Sequence, residues 1–287
     1  MLPRWDRADG RWRTHWGRRA GQIRSTRTPE GTEMDYQILG QLQVGGRPGV
    51  SAPRARKIET LLAVLLVKRN QVATTEHLIG ELWGEHPPAR ASAALYVYVS
   101  QLRKLLRGTG DDAEDSPVVT SPRGYSLVVT DGELDADRFT RRYERGRALY
   151  WDRNYKEAAK VLREAANLWR GEAFGGFTDS PDVQAYATLL EESRLECLEL
   201  LMETELLIGR HREVVGQLSA LAKEHTLRET FYEYLMTALL RSNRRAEALE
   251  TFASARQHLV QQLGIEPGSS LRKLHHSILV GEMSDAV

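Results

Sequence analysis

One amphipathic stretch in the first half of the chain constrains its fold more than any other feature. Read at 3.6 residues per turn, Arg90–Arg107 places its large apolar side chains on one line: Leu95, Val99, Leu102 and Leu106. The opposite line is small at its N-terminal end, polar or basic at its C-terminal end, and free of carboxylates. Small side chains let a helix approach the floor of a DNA groove, and basic ones neutralise phosphates. The stretch therefore predicts a helix with one face in a core, and its other face is either a DNA-binding surface or an ordinary solvated one.

Length and composition restrict the class of protein. A chain of 287 residues with 41% hydrophobic residues favours two domains with packed cores. The longest apolar run, Leu61–Val67, is too short to span a bilayer, and no secretory signal follows the basic N-terminus. The single cysteine, Cys197, excludes an internal disulfide and a cysteine-rich zinc site. We therefore expect a protein of the reducing cytoplasm, associated with the nucleoid, with no metal, no cofactor and no membrane partner.

Charge is distributed unevenly along the chain, although the net charge is only +1. Residues 1–33 contain eight arginines against four acidic residues, and residues 54–107 contain nine basic residues against four acidic ones. Residues 132–287 contain 21 basic and 25 acidic residues. The positive surface is therefore expected in the first half, where the amphipathic helix lies, as in a nucleic-acid-binding domain.

Three segments follow from these patterns. Residues 1–33 show no apolar period and are predicted to be a disordered basic leader. Residues 34–131 are predicted to form an α+β domain that contains a small sheet, three helices and a hairpin. Residues 132–287 show helical periodicity with almost no strand signal, and they are predicted to form an all-α domain.

The first elements of the α+β domain are predicted from alternation and from proline. Tyr36–Val44 alternates apolar and polar residues, which is typical of a strand, and residues 50–52 are a candidate return strand. Pro53 is expected to open the first helix, because proline is tolerated in the first turn. The buried face of this helix is predicted to consist of Ile58, Leu61, Leu62, Leu65 and Leu66.

The remaining elements complete a winged helix-turn-helix. Thr74 is a suitable N-cap for a second helix that ends at Gly84. The amphipathic stretch is the third helix, and residues 118–129 read as two short strands around a tight turn. A sheet followed by three helices and a hairpin is the order of a winged helix-turn-helix domain, whose third helix enters the major groove.

This fold assigns candidate DNA-binding residues. On the recognition helix they are Arg90, Ala93, Val97, Ser100, Gln101, Arg103, Lys104 and Arg107. At the wing they are Arg123 and Gly124, since arginine is favoured in narrow minor grooves. At the start of the first helix, Arg54, Arg56 and Lys57 are candidate phosphate contacts. Two alternatives stay open: Arg103 lies nearer the flank and could bind within the domain, and Arg123 could simply be solvated.

An internal repeat organises the second half. The segments that begin at Tyr155, His211 and Arg245 can be superimposed, and the last two are 34 residues apart. That spacing is the period of tetratricopeptide helix pairs, which bind proteins rather than perform chemistry. The first two segments are 56 residues apart, and the excess of 22 fits an insertion around Gly171–Pro181.

Several short stretches resemble a known family, the Streptomyces antibiotic regulatory proteins. In the first half they are Ile38–Leu42, Leu78–Gly84, Val99–Leu106 and Arg123–Tyr125. In the second half they are Leu168–Glu172, Arg244–Leu249 and Leu263–Pro267. The family joins an OmpR-type winged helix to a bacterial transcriptional activation domain. The resemblance implies a transcriptional activator of an antibiotic gene cluster. Its expected partners are direct repeats of promoter DNA near the −35 region, RNA polymerase holoenzyme and a second copy of itself.

Two other classes of function compete with a DNA-binding activator. A tetratricopeptide adaptor, whose small N-terminal domain binds protein instead of DNA, is the alternative. An enzyme is not expected, because the sequence contains no Walker A motif, zinc-protease helix or nucleophile elbow.

Overall fold

The structure, a computed structural model, describes residues 4–6, 11–13, 34–46, 52–107, 116–176 and 179–281. The chain folds as two compact units. The first unit comprises residues 1–135 and 171–187, and the second comprises residues 136–170 and 188–287. Within the predicted leader only β1 (Arg4–Asp6) and β2 (Arg11–Arg13) are described, and they pair as antiparallel strands. The prediction of a disordered leader otherwise falls outside the described residues.

The first unit contains a short hairpin where one strand was predicted. β3 (Asp35–Gln37) and β4 (Gln43–Gly45) are antiparallel, with Tyr36 opposite Val44. The prediction of a single strand over residues 36–44 was therefore wrong. The strand is interrupted because the buried carboxylate of Asp135 accepts hydrogen bonds from the Ile38 N–H at 2.9 Å and from the Leu39 N–H at 3.1 Å. The candidate return strand begins on residues 50 and 51, which lie outside the described part.

The three predicted helices are present. α1 spans Arg56–Val67, α2 spans Thr75–Trp83 and α3 spans Ala91–Leu106. Helix α1 begins three residues after Pro53, so that proline precedes the helix instead of occupying its first turn. Helix α2 has the predicted cap, because Thr74 Oγ1 accepts a hydrogen bond from the His77 N–H at 3.2 Å.

The predicted helix faces are confirmed. The buried apolar line of α3 is the one read from the sequence: Leu95, Val99, Leu102 and Leu106. All five predicted core residues of α1 are also buried: Ile58, Leu61, Leu62, Leu65 and Leu66. Helix periodicity was sufficient to predict these faces, because each helix has one apolar stripe and that stripe packs against the core.

The hairpin after α3 joins a three-stranded sheet. It consists of β6 (Val118–Ser121) and β7 (Gly124–Leu127), and β7 also pairs with β5 (Ala73–Thr74), which gives the order β5-β7-β6. All pairs are antiparallel. The hairpin is thereby fixed to the residue pair that precedes α2, which sets its position relative to the helices.

The predicted insertion belongs to the first unit. A turn at Ala173–Gly176 places Phe174 in a left-handed conformation (φ 54°), and its N–H donates to the Ile38 carbonyl at 2.8 Å. The Phe174 side chain is buried, and the Ser180 hydroxyl donates to the carboxylate of Glu81 on α2. Residues 171–176 and 179–187 therefore interrupt the repeat in sequence and belong to the first unit.

The described residues of the second unit form helices and connecting turns, with no strand among them. Its helices are α4 (Asp135–Trp151), α5 (Tyr155–Ala166), α6 (Pro181–Leu207), α7 (His211–Glu224), α8 (Glu229–Arg241), α9 (Arg245–Leu263) and α10 (Ser269–Val280). The first residues of α4 and α6 belong to the first unit. Helices α5, α7 and α9 begin at the three residues that the repeat superimposed. In the described part of the chain, no helix is long and apolar enough to cross a membrane.

Three equivalent turns confirm the repeat. A residue with positive φ follows α4, α6 and α8: Arg153 (59°), Gly209 (84°) and Asn243 (61°). The next residue in each turn donates its N–H to a carbonyl five residues earlier, at 2.9, 3.0 and 2.9 Å respectively. This closure satisfies carbonyl groups at the helix end and turns the chain back into the following helix. The same backbone geometry therefore recurs in all three helix pairs.

Burial makes a direct prediction for the single thiol. Cys197 on α6 is fully buried, and burial raises the pKa of its thiol to about 12. We expect no reaction with Ellman's reagent in the folded protein at pH 8, since almost no thiolate is present and the sulfur is covered. Unfolding in urea should release one reactive thiol per chain. Rapid labelling of the folded protein would contradict the packing of α6.

Candidate nucleic-acid interface

The face of α3 opposite its buried line is exposed. We call Arg90, Ala93, Val97, Ser100, Gln101, Lys104 and Arg107 the recognition face. Six of these residues are exposed and Ser100 is half-buried. The buried leucines and Val99 fix the rotation of α3 about its own axis. The core of the domain therefore sets the direction in which the recognition face points.

The electrostatics of the recognition face suit a polyanion. It carries no carboxylate, and its three cations lie at its two ends: Arg90 before the helix, and Lys104 and Arg107 at its C-terminal end. The middle of the face is small or neutral. A helix of this kind can enter a major groove about 12 Å wide, with its cations near the phosphates that border the groove.

One exposed aromatic residue was missed by the sequence reasoning. Tyr96 is 65% exposed, although a tyrosine in an amphipathic helix is expected near the core. It lies seven residues before Arg103 and therefore on the same side of α3, beside the recognition face. Its position could have been read from the sequence, because it is the one large aromatic residue of α3 on that side of the buried line.

Arg103 connects α3 to the hairpin. Its Nε donates to the Val118 carbonyl at 3.0 Å, and its Nη2 donates to Thr120 Oγ1 at 2.6 Å. Its guanidinium also lies 6.0 Å from the centre of the Tyr125 ring. The sequence left open whether Arg103 contacts DNA or binds within the domain. The structure gives it partners within the domain.

The tip of the hairpin is a two-residue turn of Pro122 and Arg123. Arg123 is exposed, and its carbonyl accepts a hydrogen bond from the Thr75 N–H at 3.1 Å, which ties the tip to the start of α2. Gly124 is buried instead of exposed, so it was misplaced as a wing-tip contact. A β-carbon on Gly124 would overlap the Ala73 carbonyl oxygen, so a glycine is needed where β7 pairs with β5.

Two of the three candidate phosphate contacts have partners within the first unit. Arg56 donates from Nε and Nη2 to the two carboxylate oxygens of Asp179, both at 2.7 Å, and this lowers the pKa of Asp179. The Lys57 ammonium donates to the Leu82 carbonyl. Arg54 is exposed. The ion pair between Arg56 and Asp179 could not be predicted from local sequence patterns, because the two residues are 123 positions apart.

A polar cluster links residues 171–187 to α2. His77 Nε2 lies 2.9 Å from Asp182 Oδ2 and 4.0 Å from Glu81 Oε1, and these three residues have the donor atoms of a metal site. However, the Lys68 ammonium lies 2.8 Å from the same Asp182 oxygen and already supplies a positive charge. Burial would raise the pKa of Asp182, but its bonds to Lys68 and His77 lower it below the usual value. We therefore interpret the cluster as an ion-pair network.

Two known families match the two halves of the chain. Residues 54–127 match the family described as transcriptional regulatory protein, C terminal, and residues 134–279 match the bacterial transcriptional activator domain. Regulatory protein DnrI of Streptomyces peucetius is 35% identical over 251 residues, covering 86% of this chain and 92% of the relative. Transcriptional regulator RedD of Streptomyces coelicolor is 32% identical over 247 residues, covering 86% of this chain and 70% of the relative.

A solved structure supports the fold over 88% of the chain. Transcriptional regulatory protein EmbR of Mycobacterium tuberculosis is 34% identical, and the chain spans 65% of its length. The structure of EmbR in complex with a low affinity phosphopeptide superimposes with a TM-score of 0.79 at 33% identity, covering 88% of this chain and 66% of that one. The chain therefore belongs to the Streptomyces antibiotic regulatory protein family of transcriptional regulators. The α+β winged helix-turn-helix followed by an all-α domain is confirmed, and the family is not one of enzymes.

Proposed function

We propose that this protein is a sequence-specific, DNA-binding transcriptional activator of a secondary-metabolite gene cluster, acting in the cytoplasm on nucleoid DNA. The observation that carries the proposal is the recognition face of α3, which is exposed, free of carboxylates and held in orientation by a buried line. Its target would be direct repeats of promoter DNA near the −35 region, bound by two copies of the chain. The support for an antibiotic cluster is membership of the family.

The contacts are proposed residue by residue. Gln101 would contact a base edge, while Arg90, Lys104 and Arg107 would contact phosphates at the ends of the recognition face. Arg123 would reach the minor groove from the hairpin tip, and the exposed Arg54 would contact a phosphate. We assign Arg103 to positioning of the hairpin, and Gly124 to its attachment, instead of to DNA contact.

Activation is proposed for the second half of the chain. The proposed boundary between DNA binding and activation is residue 131, and residues 171–187 would support the DNA-binding unit. Helix pairs of the tetratricopeptide kind bind other proteins, which suits contact with RNA polymerase holoenzyme. The same feature favours the alternative function, a protein-binding adaptor that does not bind DNA.

Footprinting and transcription in one promoter assay separate these functions. The full chain would be added to promoters of neighbouring genes, with and without RNA polymerase holoenzyme. An activator protects tandem sites near −35 and raises transcript yield, whereas an adaptor gives no footprint. A matched variant carrying Gln101→Ala and Lys104→Ala should lose both effects while its melting temperature stays the same. A footprint of unchanged affinity after this double substitution would contradict the contacts proposed for Gln101 and Lys104.

Lys104→Ala is expected to weaken binding about equally on all DNA sequences. Removing one phosphate contact should reduce the slope of log affinity against log salt by about one. The measurement is a titration with target and random DNA at several salt concentrations. Lys223→Ala, an exposed lysine on α7, is the control and should leave the slope unchanged. A loss confined to one DNA sequence would mean that Lys104 reads a base.

Arg103→Ala is expected to act through the hairpin. Losing the two charge-assisted hydrogen bonds should destabilise the first unit by roughly 1–3 kcal/mol. Affinity for DNA should fall while the salt slope stays at the wild-type value, because no phosphate contact is removed. Thermal melting and the salt titration test this together. A slope lowered by about one without any loss of stability would instead identify a phosphate contact.

A further inference from the structure

Val97 occupies the centre of the recognition face. It is 47% exposed, with Ala93 one turn before it and Gln101 one turn after it. Its neighbours Leu95 and Val99 supply the core, so the fold itself does not require an apolar residue at position 97. An exposed valine at the middle of a surface that is otherwise small, polar or basic needs a separate explanation.

The chemistry of the major groove offers an apolar partner of one kind. Base edges present hydrogen-bond donors and acceptors there, and the 5-methyl group of thymine is the apolar group among them. The valine side chain has no hydrogen-bonding atom. Over any other base edge it would displace the water bound to a donor or acceptor and would leave that group without a hydrogen bond. A β-branched side chain is also restricted to one main rotamer in a helix, so its methyl groups are held in place before DNA binds.

We propose that Val97 is a specificity-determining residue that packs against the 5-methyl group of a thymine in the major groove. This inference rests on the proposed function and adds the base feature that the centre of the recognition face reads. Ala93 contributes by its small size, because it lets the helix approach closely enough for methyl groups to touch. Tyr96 is rotated by about 100° from Val97 around the helix and lies toward the hairpin side.

The first step of the test is to obtain a DNA ligand. The full chain is used to enrich binding sequences from random duplex DNA, and the enriched sequence is here called the selected element. Each thymine of the selected element is then replaced, one at a time, by 2′-deoxyuridine. This replacement removes a single methyl group and leaves base pairing unchanged.

One position in the selected element should respond to both changes. Loss of the methyl group there should weaken wild-type binding about fourfold, the effect of leaving one buried methyl group without its contact. Val97→Ala should weaken binding to thymine DNA by at least a similar factor. On the uracil-containing DNA, Val97→Ala should weaken binding little further, because the effects of removing two groups that contact each other are not additive. Val72→Ala, at a valine of the same 47% exposure outside α3, should leave every affinity unchanged.

The outcomes distinguish the inference from the function on which it rests. Failure to enrich any sequence would contradict the proposed DNA-binding function itself. Enrichment without a thymine at which Val97→Ala removes the methyl effect would overturn the inference and leave the function standing. A methyl effect that disappears in Tyr96→Ala but persists in Val97→Ala would likewise overturn it. Unchanged melting of Val97→Ala is the check that the helix is intact.

Discussion

Leu102→Ala is expected to lower the free energy of unfolding of the first unit by about 2–5 kcal/mol, the usual cost of a buried large-to-small change. Leu102 is completely buried on α3, between Val99 and Leu106 on the same line. The leucine contributes both apolar burial and packing, and its loss leaves a cavity that the surrounding helices can only partly fill. Urea unfolding of the full chain measures the effect, and hydrogen exchange in residues 91–106 identifies the unit that opens.

Gln101→Ala is the matched control for this prediction. Gln101 neighbours Leu102 in sequence but is exposed, so its truncation should leave stability nearly unchanged. It should instead cost roughly 1–3 kcal/mol of discrimination at one base position if the side chain reads a base edge. If Gln101→Ala unfolded the domain while Leu102→Ala altered only base preference, the orientation of α3 would be refuted.

Gly124→Ala is expected to be comparably damaging, although it adds only one methyl group. The new β-carbon would overlap the Ala73 carbonyl oxygen and lie 2.8 Å from the α-carbon of Thr74, and both obstacles are backbone. Relief requires separation of β5 from β7, so we expect a loss of about 3 kcal/mol or more, the upper end of overpacking costs. DNA binding should fall as well, because the hairpin tip is attached at the same place.

Gly80→Ala provides the opposite control. Gly80 lies on an exposed part of α2, and apart from its chain neighbours and the backbone of its own helix no atom lies within 4 Å of a β-carbon added there. Alanine restricts the unfolded chain and favours helix, so this substitution should raise stability by about 1 kcal/mol. Equal destabilisation by both glycine substitutions would mean that the β5–β7 contact is not the cause.

Local patterns were enough to predict most of the helices. The buried line of α3, the Thr74 cap and the starts of the repeated helices each depend on residues within a few turns of one another. Repeated helix pairs are especially accessible to sequence reasoning because each pair packs mainly on its neighbours. The exposed recognition face followed directly from the buried line, since the two faces of one helix determine each other.

Contacts between distant residues explain what the sequence could not show. The carboxylate of Asp135 takes N–H groups that an uninterrupted strand would have paired, so β3 and β4 form a hairpin. Arg56 was predicted to contact a phosphate, because its partner Asp179 lies 123 residues away in the sequence. The Gly171–Pro181 insertion was correctly detected as extra sequence, but its attachment to α2 depends on residues about a hundred positions away. Periodicity carries no information about such partners.

Site-directed cleavage of DNA tests the central claim most directly, because it locates the recognition face on the bound DNA. Gln101→Cys introduces an exposed thiol into a chain whose single natural cysteine is buried, so an iron chelate can be attached at position 101 alone. The same treatment of the chain without this substitution is the control and should produce no cuts. We predict cleavage of both strands within the selected element. A labelled chain that binds the selected element but cuts the DNA only outside it, or not at all, would contradict the placement of α3 in the major groove.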